Sequence, residues 1–126
     1  MEFAKLLLTR EWNSYTCTEA SNIEMIILGN LLADDVRDNT LSYKQTLADD
    51  KLRGQGGNFI FLEKENGYVL LSDLYSEEAI PTEFKISRQQ FIQLLDDWEE
   101  KVCKHMPKEV IIKYDNNQFI LEINDY

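Results

Sequence analysis

Two apolar runs joined by the dipeptide Asn66-Gly67 constrain the fold of this chain more than any other feature. Both central residues of a tight type I′ hairpin turn have positive φ, which Asn and Gly tolerate better than other residues. The runs on either side, residues 59–62 and 68–71, are continuously apolar. The sequence therefore predicts a β-hairpin whose two faces both need cover, either from the rest of a sheet or from a partner.

A second hairpin and a long helix are predicted in the C-terminal third. Ser87 and Gln90 form an S-x-x-Q capping box, which is typical of a helix N-terminus, and Pro107 ends the helix. One helical face carries the apolar residues Phe91, Leu94, Leu95, Trp98 and Val102. Two alternating strands then flank a turn at 115–117, so the chain ends in a hairpin.

The N-terminal half is less sharply patterned. Residues 2–8 are typical of a strand, and residues 12–17 either extend it or form a second short strand. A helix is predicted over 19–37, capped by Thr18 or by Ser21, and Ser21 has the Glu three residues later that a capping box requires. Residues 39–57 are interpreted as a long polar loop, with a short helix at 43–51 as the alternative.

The order of elements predicts the fold class. With a short strand at 83–86, the order is β-α-β-β-β-α-β-β, and antiparallel hairpins with segregated helices indicate an α+β fold. We expect one mostly antiparallel sheet with two helices packed on it. A length of 126 residues fits a single domain spanning 1–126.

Targeting signals and metal motifs are not found in the sequence. The N-terminal apolar run is only residues 6–8, and the longest later run, 23–32, is interrupted and too short for a membrane span. Cys17 and Cys103 are far apart in sequence, which favours two free thiols in a reducing compartment. The chain has one histidine, His105, and no C-x-x-C pair, so we expect no metal and no cofactor. The free thiols and the lack of a targeting signal lead us to expect a cytoplasmic protein.

Residues that could carry catalysis do not form a recognisable constellation. Paired carboxylates are abundant, as in any acidic chain, and side chains two positions apart on a helix, such as Cys103 and His105, diverge by about 200°. We therefore expect a protein that is not an enzyme. The alternatives are a self-associating or generic interaction module using the 59–71 hairpin, a small hydrolase with a carboxylate pair, and a ligand-binding domain with residues 39–57 as a lid.

Charge indicates what kind of partner to expect. The formal net charge is −10, which disfavours a nucleic-acid binder and steers cationic proteins toward the surface. Residues 72–84 contain no Lys or Arg, and acidic residues at the end of the first predicted helix oppose its dipole. The candidate partner-binding residues are Asp34, Asp35, Asp38, Asp73, Tyr75, Glu77 and Glu78, and Tyr43 is a further candidate anchor. The alternative for these acids is a solvated surface without a partner.

The C-terminal stretch resembles the ends of small acidic bacterial immunity proteins, including those of contact-dependent growth inhibition systems. The resemblance rests on the 84–87 entry to the helix, on Trp98-Glu99 inside it and on 107–109 before the last hairpin. It implies a cytoplasmic protein that neutralises a cognate toxin domain, often a basic nuclease, by occlusion and charge complementarity. It implies no direct contact with nucleic acid or membrane, and it identifies no contact residue.

Overall fold

The computed structural model describes residues 4–77, 82–116 and 118–125. These residues form two four-stranded antiparallel sheets and three α-helices, so the predicted α+β class is confirmed. The elements are β1 Ala4–Glu11, β2 Ser14–Ala20, α1 Ile23–Asn30, α2 Thr40–Ala48, β3 Gly54–Gly56, β4 Ile60–Glu65, β5 Tyr68–Asp73, β6 Glu83–Ser87, α3 Arg88–Asp97, β7 Glu109–Asp115 and β8 Gln118–Asn124. Helices α1 and α3 each continue as a π-helix, over Leu31–Val36 and Trp98–Cys103 respectively.

Two sheets replace the single sheet that we predicted. The first has the order β2-β1-β7-β8 and joins the two ends of the chain, with Leu6 opposite Ile112. The second has the order β3-β4-β5-β6. Helix α1 contacts β1 and β2 of the first sheet and β5 and β6 of the second. Because this helix is buried on two sides, both sheets share one hydrophobic core around it.

Helix caps decide where α1 and α3 begin. The cap of α1 is Asn22, whose Oδ1 accepts a hydrogen bond from the Met25 amide at 3.0 Å, so both predicted caps, Thr18 and Ser21, are wrong. The Ser21 hydroxyl instead accepts from the Lys5 amide at 2.9 Å and ties the helix entry to β1. Ser87 caps α3 as predicted, since its hydroxyl accepts from the Gln90 amide at 3.1 Å.

Both predicted hairpins are confirmed. Asn66 and Gly67 have φ values of 22° and 83° and form the two-residue connection between β4 and β5. Only one face of the β4–β5 hairpin packs against the core, through Ile60, Leu62, Val69 and Leu71. A third hairpin joins β1 to β2, which confirms the alternative of a second short strand after residue 12.

Most of the segment predicted as a loop at 39–57 is helix α2 followed by β3, and the short helix predicted within it at 43–51 overlaps α2 and begins three residues late. Tyr43 is buried in the core, with only 2% of its surface exposed, so it cannot serve as an exposed anchor. Lys44 bridges Asp96 of α3 at 2.5 Å and Glu99 at 3.3 Å. The Thr40 hydroxyl also donates to the Glu99 carboxylate at 2.9 Å. These contacts tie α2 to α3 and to its π-helical continuation.

Cys17 and Cys103 are free thiols, as the sequence predicted. Among the residues that the structure describes, no helix is both long enough and apolar enough to cross a membrane.

Candidate functional site

The turn after β5 carries three of the predicted partner-binding residues. Asp73 ends β5, and its carboxylate accepts a hydrogen bond from the Tyr75 amide at 2.8 Å, which shapes the turn. The Leu74 amide donates to the Phe59 carbonyl at 2.8 Å and fastens the turn to the start of β4. Asp73, Tyr75 and Glu77 are all exposed. The turn therefore presents acidic and aromatic side chains from an anchored backbone.

Apolar side chains are exposed on this turn and beside it. Tyr75 is 70% exposed, and its ring meets that of Phe59 edge to face, with centroids 6.0 Å apart. Leu74 and Phe59 are also nearly half exposed. Large apolar side chains that remain exposed next to one another are typical of interaction surfaces.

Helix α1 supplies the other wall of a groove at this turn. Ile23 and Ile26 are 47% and 46% exposed. Together with Asp73 and Glu77 they line a groove of about 360 Å³ between the helix and the turn. We name the surface formed by Ile23, Ile26, Phe59, Asp73, Leu74, Tyr75 and Glu77 the acidic face. It combines apolar contact area with the carboxylates of Asp73 and Glu77. Both carboxylates lie within residues 72–84, a segment that contains no Lys or Arg.

Four residues of the acidic face were not singled out as contacts from the sequence. Ile23 and Ile26 belong to the apolar run over 23–32, yet both are nearly half exposed in the structure. Phe59 belongs to an apolar run that was assigned to the sheet, and Leu74 is one apolar residue in a polar segment. The apolar run over 23–32 was the available signal, because apolar residues that span more than one face of a helix leave some side chains uncovered.

Asp35 is committed to holding the backbone of a neighbouring segment. Its carboxylate accepts hydrogen bonds from the amides of Asn58 at 2.8 Å, Phe59 at 3.1 Å and Ile60 at 2.8 Å. A Cβ atom on Gly57 would overlap this carboxylate. Asp35 thus fixes the start of β4 and, through it, the position of Phe59 on the acidic face.

The other predicted acids are dispersed. Asp34 is half-buried, and burial followed by the charge of Asp35 raises the pKa of its carboxyl group. Asp38 is exposed and lines a different cavity, beside Cys103. The structure therefore groups Asp73, Tyr75 and Glu77, connects Asp35 to them through Phe59, and places Asp38 elsewhere. Glu78 lies outside the described residues.

The thiols occupy environments that suppress their reactivity. Burial is the main cause that raises the pKa of both Cys17 and Cys103, which lowers the fraction of reactive thiolate at neutral pH. The Cys103 thiol also donates to the Arg37 carbonyl at 3.3 Å. Within 4–77, 82–116 and 118–125, no cluster of three His, Cys, Asp or Glu residues is arranged to hold a metal ion.

Comparison with known proteins finds no matching family model, no matching curated protein and no matching solved structure.

Proposed function

We propose that this chain is an immunity protein that binds a basic toxin domain through its acidic face and blocks the toxin by occlusion. The observation that carries the proposal is the groove in which Ile23 and Ile26 of α1 face Asp73 and Glu77 of the turn. Apolar area excludes water and stabilises a complex, whereas carboxylates select a cationic partner and speed its approach. The resemblance of the C-terminal stretch to small acidic immunity proteins supplies the partner class.

The carboxylates of the acidic face are exposed and form no ion pair with another described residue, which supports a binding role for them. Asp73 and Glu77 form none of the ion pairs between the described residues, whereas Glu99, Glu100 and Glu122 each meet a lysine on the protein's own surface. A net charge of −10 further favours association with a cationic domain. A nuclease is the expected partner because surfaces that bind phosphates are basic.

The partner is best sought in the neighbouring reading frame of the source genome. We would co-express the C-terminal domain that this frame encodes with the full chain and test for a co-purifying complex and for rescue of growth. A complex with rescue supports the proposal. A non-toxic neighbour that forms no complex contradicts it and favours the generic interaction module instead.

Charge reversal tests whether the acidic face is the contact surface. Glu77→Lys should slow association several-fold at low salt and weaken its salt dependence, because it removes one attractive charge and adds a repulsive one. The matched control is Glu65→Lys, an exposed glutamate at the far end of β4 with the same change in net charge. Equal association rates for the two variants would contradict this placement of the site.

Apolar contact is tested on the opposite wall of the groove. Ile26→Asp should increase the dissociation rate by about tenfold or more, because it places a carboxylate against the buried centre of the interface. Leu41→Asp is the control, since Leu41 is equally apolar, 64% exposed and also in the first turn of a helix, on α2. Loss of binding in both variants would indicate a general effect of added charge and not a contact.

A further inference from the structure

Trp12 is the most exposed large apolar residue among those that the structure describes, and it lies at the tip of the β1–β2 hairpin. Its side chain is 95% exposed. Its φ of 60° is a left-handed conformation that Asn or Gly would adopt more easily. A tryptophan at this position is therefore unfavourable in the isolated molecule for two reasons. Its apolar surface is exposed to water, and its side chain does not suit the left-handed conformation of the turn. Tryptophan is also the residue type most enriched among the energetic centres of protein interfaces.

A cavity of about 290 Å³ opens next to this hairpin tip. Its apolar walls are formed by Tyr15, Ala33, Trp98, Val102 and Met106. The Trp98 indole N–H donates to the Arg37 carbonyl at 2.7 Å, and the Tyr15 hydroxyl donates to the Pro107 carbonyl at 2.5 Å. Because the polar groups of both rings are already satisfied, the two rings offer the cavity an apolar surface. Its volume is just below the small-molecule range of about 300–1,000 Å³, which suits one ring system.

Trp12 is adjacent to this cavity without filling it. The next two residues, Asn13 and Ser14, line the cavity rim, while the turn directs Trp12 into solvent. The protruding ring and the cavity are therefore neighbours on one surface. In an isologous pair, the same surface of each molecule faces the other, so a protrusion beside a cavity can be exchanged reciprocally about a twofold axis.

The charge around this cavity selects a second copy over a basic partner. Arg37 and Asp38 both line the cavity, Arg10 and Asp125 lie near its Tyr15, and Glu99 lies near its Cys103, so charges of both signs surround it, in contrast to −10 for the whole chain. The Arg10 guanidinium donates to the carbonyl of Met106, which holds this cation beside the cavity wall. Two copies that meet here bring charges of both signs together, whereas contact through the acidic face would oppose like charges.

We propose that a second copy of this chain covers this cavity, with each molecule placing Trp12 in the mouth of the other's cavity, over the edge-to-face pair of Tyr15 and Trp98. The inference does not depend on the proposed function. Ile23 begins α1, whereas Arg37 follows the last π-helical turn, so the two surfaces lie at opposite ends of one continuous helical segment. A dimer of this kind leaves the acidic face free for another partner.

Sedimentation of the full chain over micromolar to millimolar concentration tests the dimer directly. Trp12→Asn removes the ring and also relieves the turn, so it does not endanger folding. It should raise the dimer dissociation constant by roughly 30-fold or more, as expected for an energetic centre lost from both copies. Tyr75→Asn is the matched control, because it removes an exposed aromatic residue from the acidic face, and it should leave the dissociation constant unchanged.

Alkylation of the two thiols reports which surface is covered. Cys103 lines the cavity and Cys17 does not, while both are free and half-buried. Iodoacetamide labelling of Cys103 should slow as the concentration of protein rises, with no such change at Cys17 or in the Trp12→Asn variant. A chain that stays monomeric at every concentration overturns the proposal. A dimer that survives Trp12→Asn, or that protects neither thiol, also overturns it.

Discussion

The end of the first helical segment and the turn after β5 have similar acidic sequences but use their carboxylates differently. At the helix end, Asp35 accepts hydrogen bonds from three backbone amides of residues 58–60. At the turn, the Asp73 carboxylate accepts from the exposed Tyr75 amide, and Glu77 lines an apolar groove. The Asp35 carboxylate is used in hydrogen bonds within the protein, whereas the carboxylates of Asp73 and Glu77 are exposed to solvent.

This difference teaches that an acidic run cannot be assigned to binding without knowing which amides approach it. Asp34 and Asp35 are adjacent, yet only Asp35 meets a segment with free N–H groups. Those N–H donors belong to a turn more than twenty residues further along the chain. The packing of the second sheet brings this turn next to Asp35. Helix-dipole arguments treat both carboxylates as equally unfavourable, and for Asp35 the remote amides override that penalty.

Removing the Asp35 carboxylate should have the largest effect on stability. We expect Asp35→Ala to lower the free energy of unfolding by about 2–3 kcal/mol, because three amides lose a charged acceptor and one of them is partly buried. Asp73→Ala, which frees one exposed amide, should cost about 1 kcal/mol or less. Urea unfolding of both variants measures the difference. Equal losses would contradict the distinction between the two regions.

The close approach of Gly57 to Asp35 provides the next test. A methyl group at Gly57 would overlap the carboxylate, so Gly57→Ala should cost roughly 1–2 kcal/mol. Gly56→Ala is the control, since its added Cβ would lie 3.7 Å from the Phe61 ring, an ordinary contact. In the Asp35→Ala background the Gly57→Ala penalty should shrink, as expected for coupled neighbours. Full additivity in urea unfolding would contradict a direct clash.

Local signals predicted the elements whose structure is decided locally. The Asn66-Gly67 turn, the Ser87 cap and the apolar face of α3 each depend on a few neighbouring residues, and each prediction is confirmed. Helix α2 was predicted only as a short helix over 43–51 within a loop, because two of its four buried residues, Thr40 and Thr46, are polar. Thr46 reaches Gln55 at 2.6 Å and Thr40 reaches Glu99, so tertiary hydrogen bonds add to the packing of Tyr43 and Leu47.

The candidate site was predictable only in part, for a similar reason. The absence of Lys and Arg from residues 72–84 indicated Asp73, Tyr75 and Glu77, and these residues do lie on one turn. Their apolar companions, Ile23 and Ile26, come from the opposite wall of a groove. That groove exists because α1 packs between two sheets, an arrangement that periodicity along a single helix does not specify.

A buried tyrosine beside Asp35 extends the comparison to high pH. Burial, followed by the nearby charge of Asp35, raises the pKa of Tyr43 from 10.0 to about 12. Between those values the unfolded chain releases this proton and the folded chain keeps it, so stability falls as pH rises through the range. Tyr43→Phe should recover about 1 kcal/mol near the middle of the range, measured by unfolding, and have little effect at neutral pH.

Asp34 provides the smallest and most discriminating test, because it differs from Asp35 by one position. Burial and the Asp35 charge raise the pKa of Asp34, so its ionised form destabilises the folded state, and the penalty appears as pH rises through the raised pKa. Asp34→Asn should therefore increase the free energy of unfolding by about 0.5 kcal/mol at neutral pH, a value kept small by its partial exposure. The gain should vanish in acid below the ordinary pKa of aspartate, where Asp34 is protonated in both states. Opposite signs for Asp34→Asn and Asp35→Ala at neutral pH would show that contact with remote amides, and not position on the helix, decides what each carboxylate contributes.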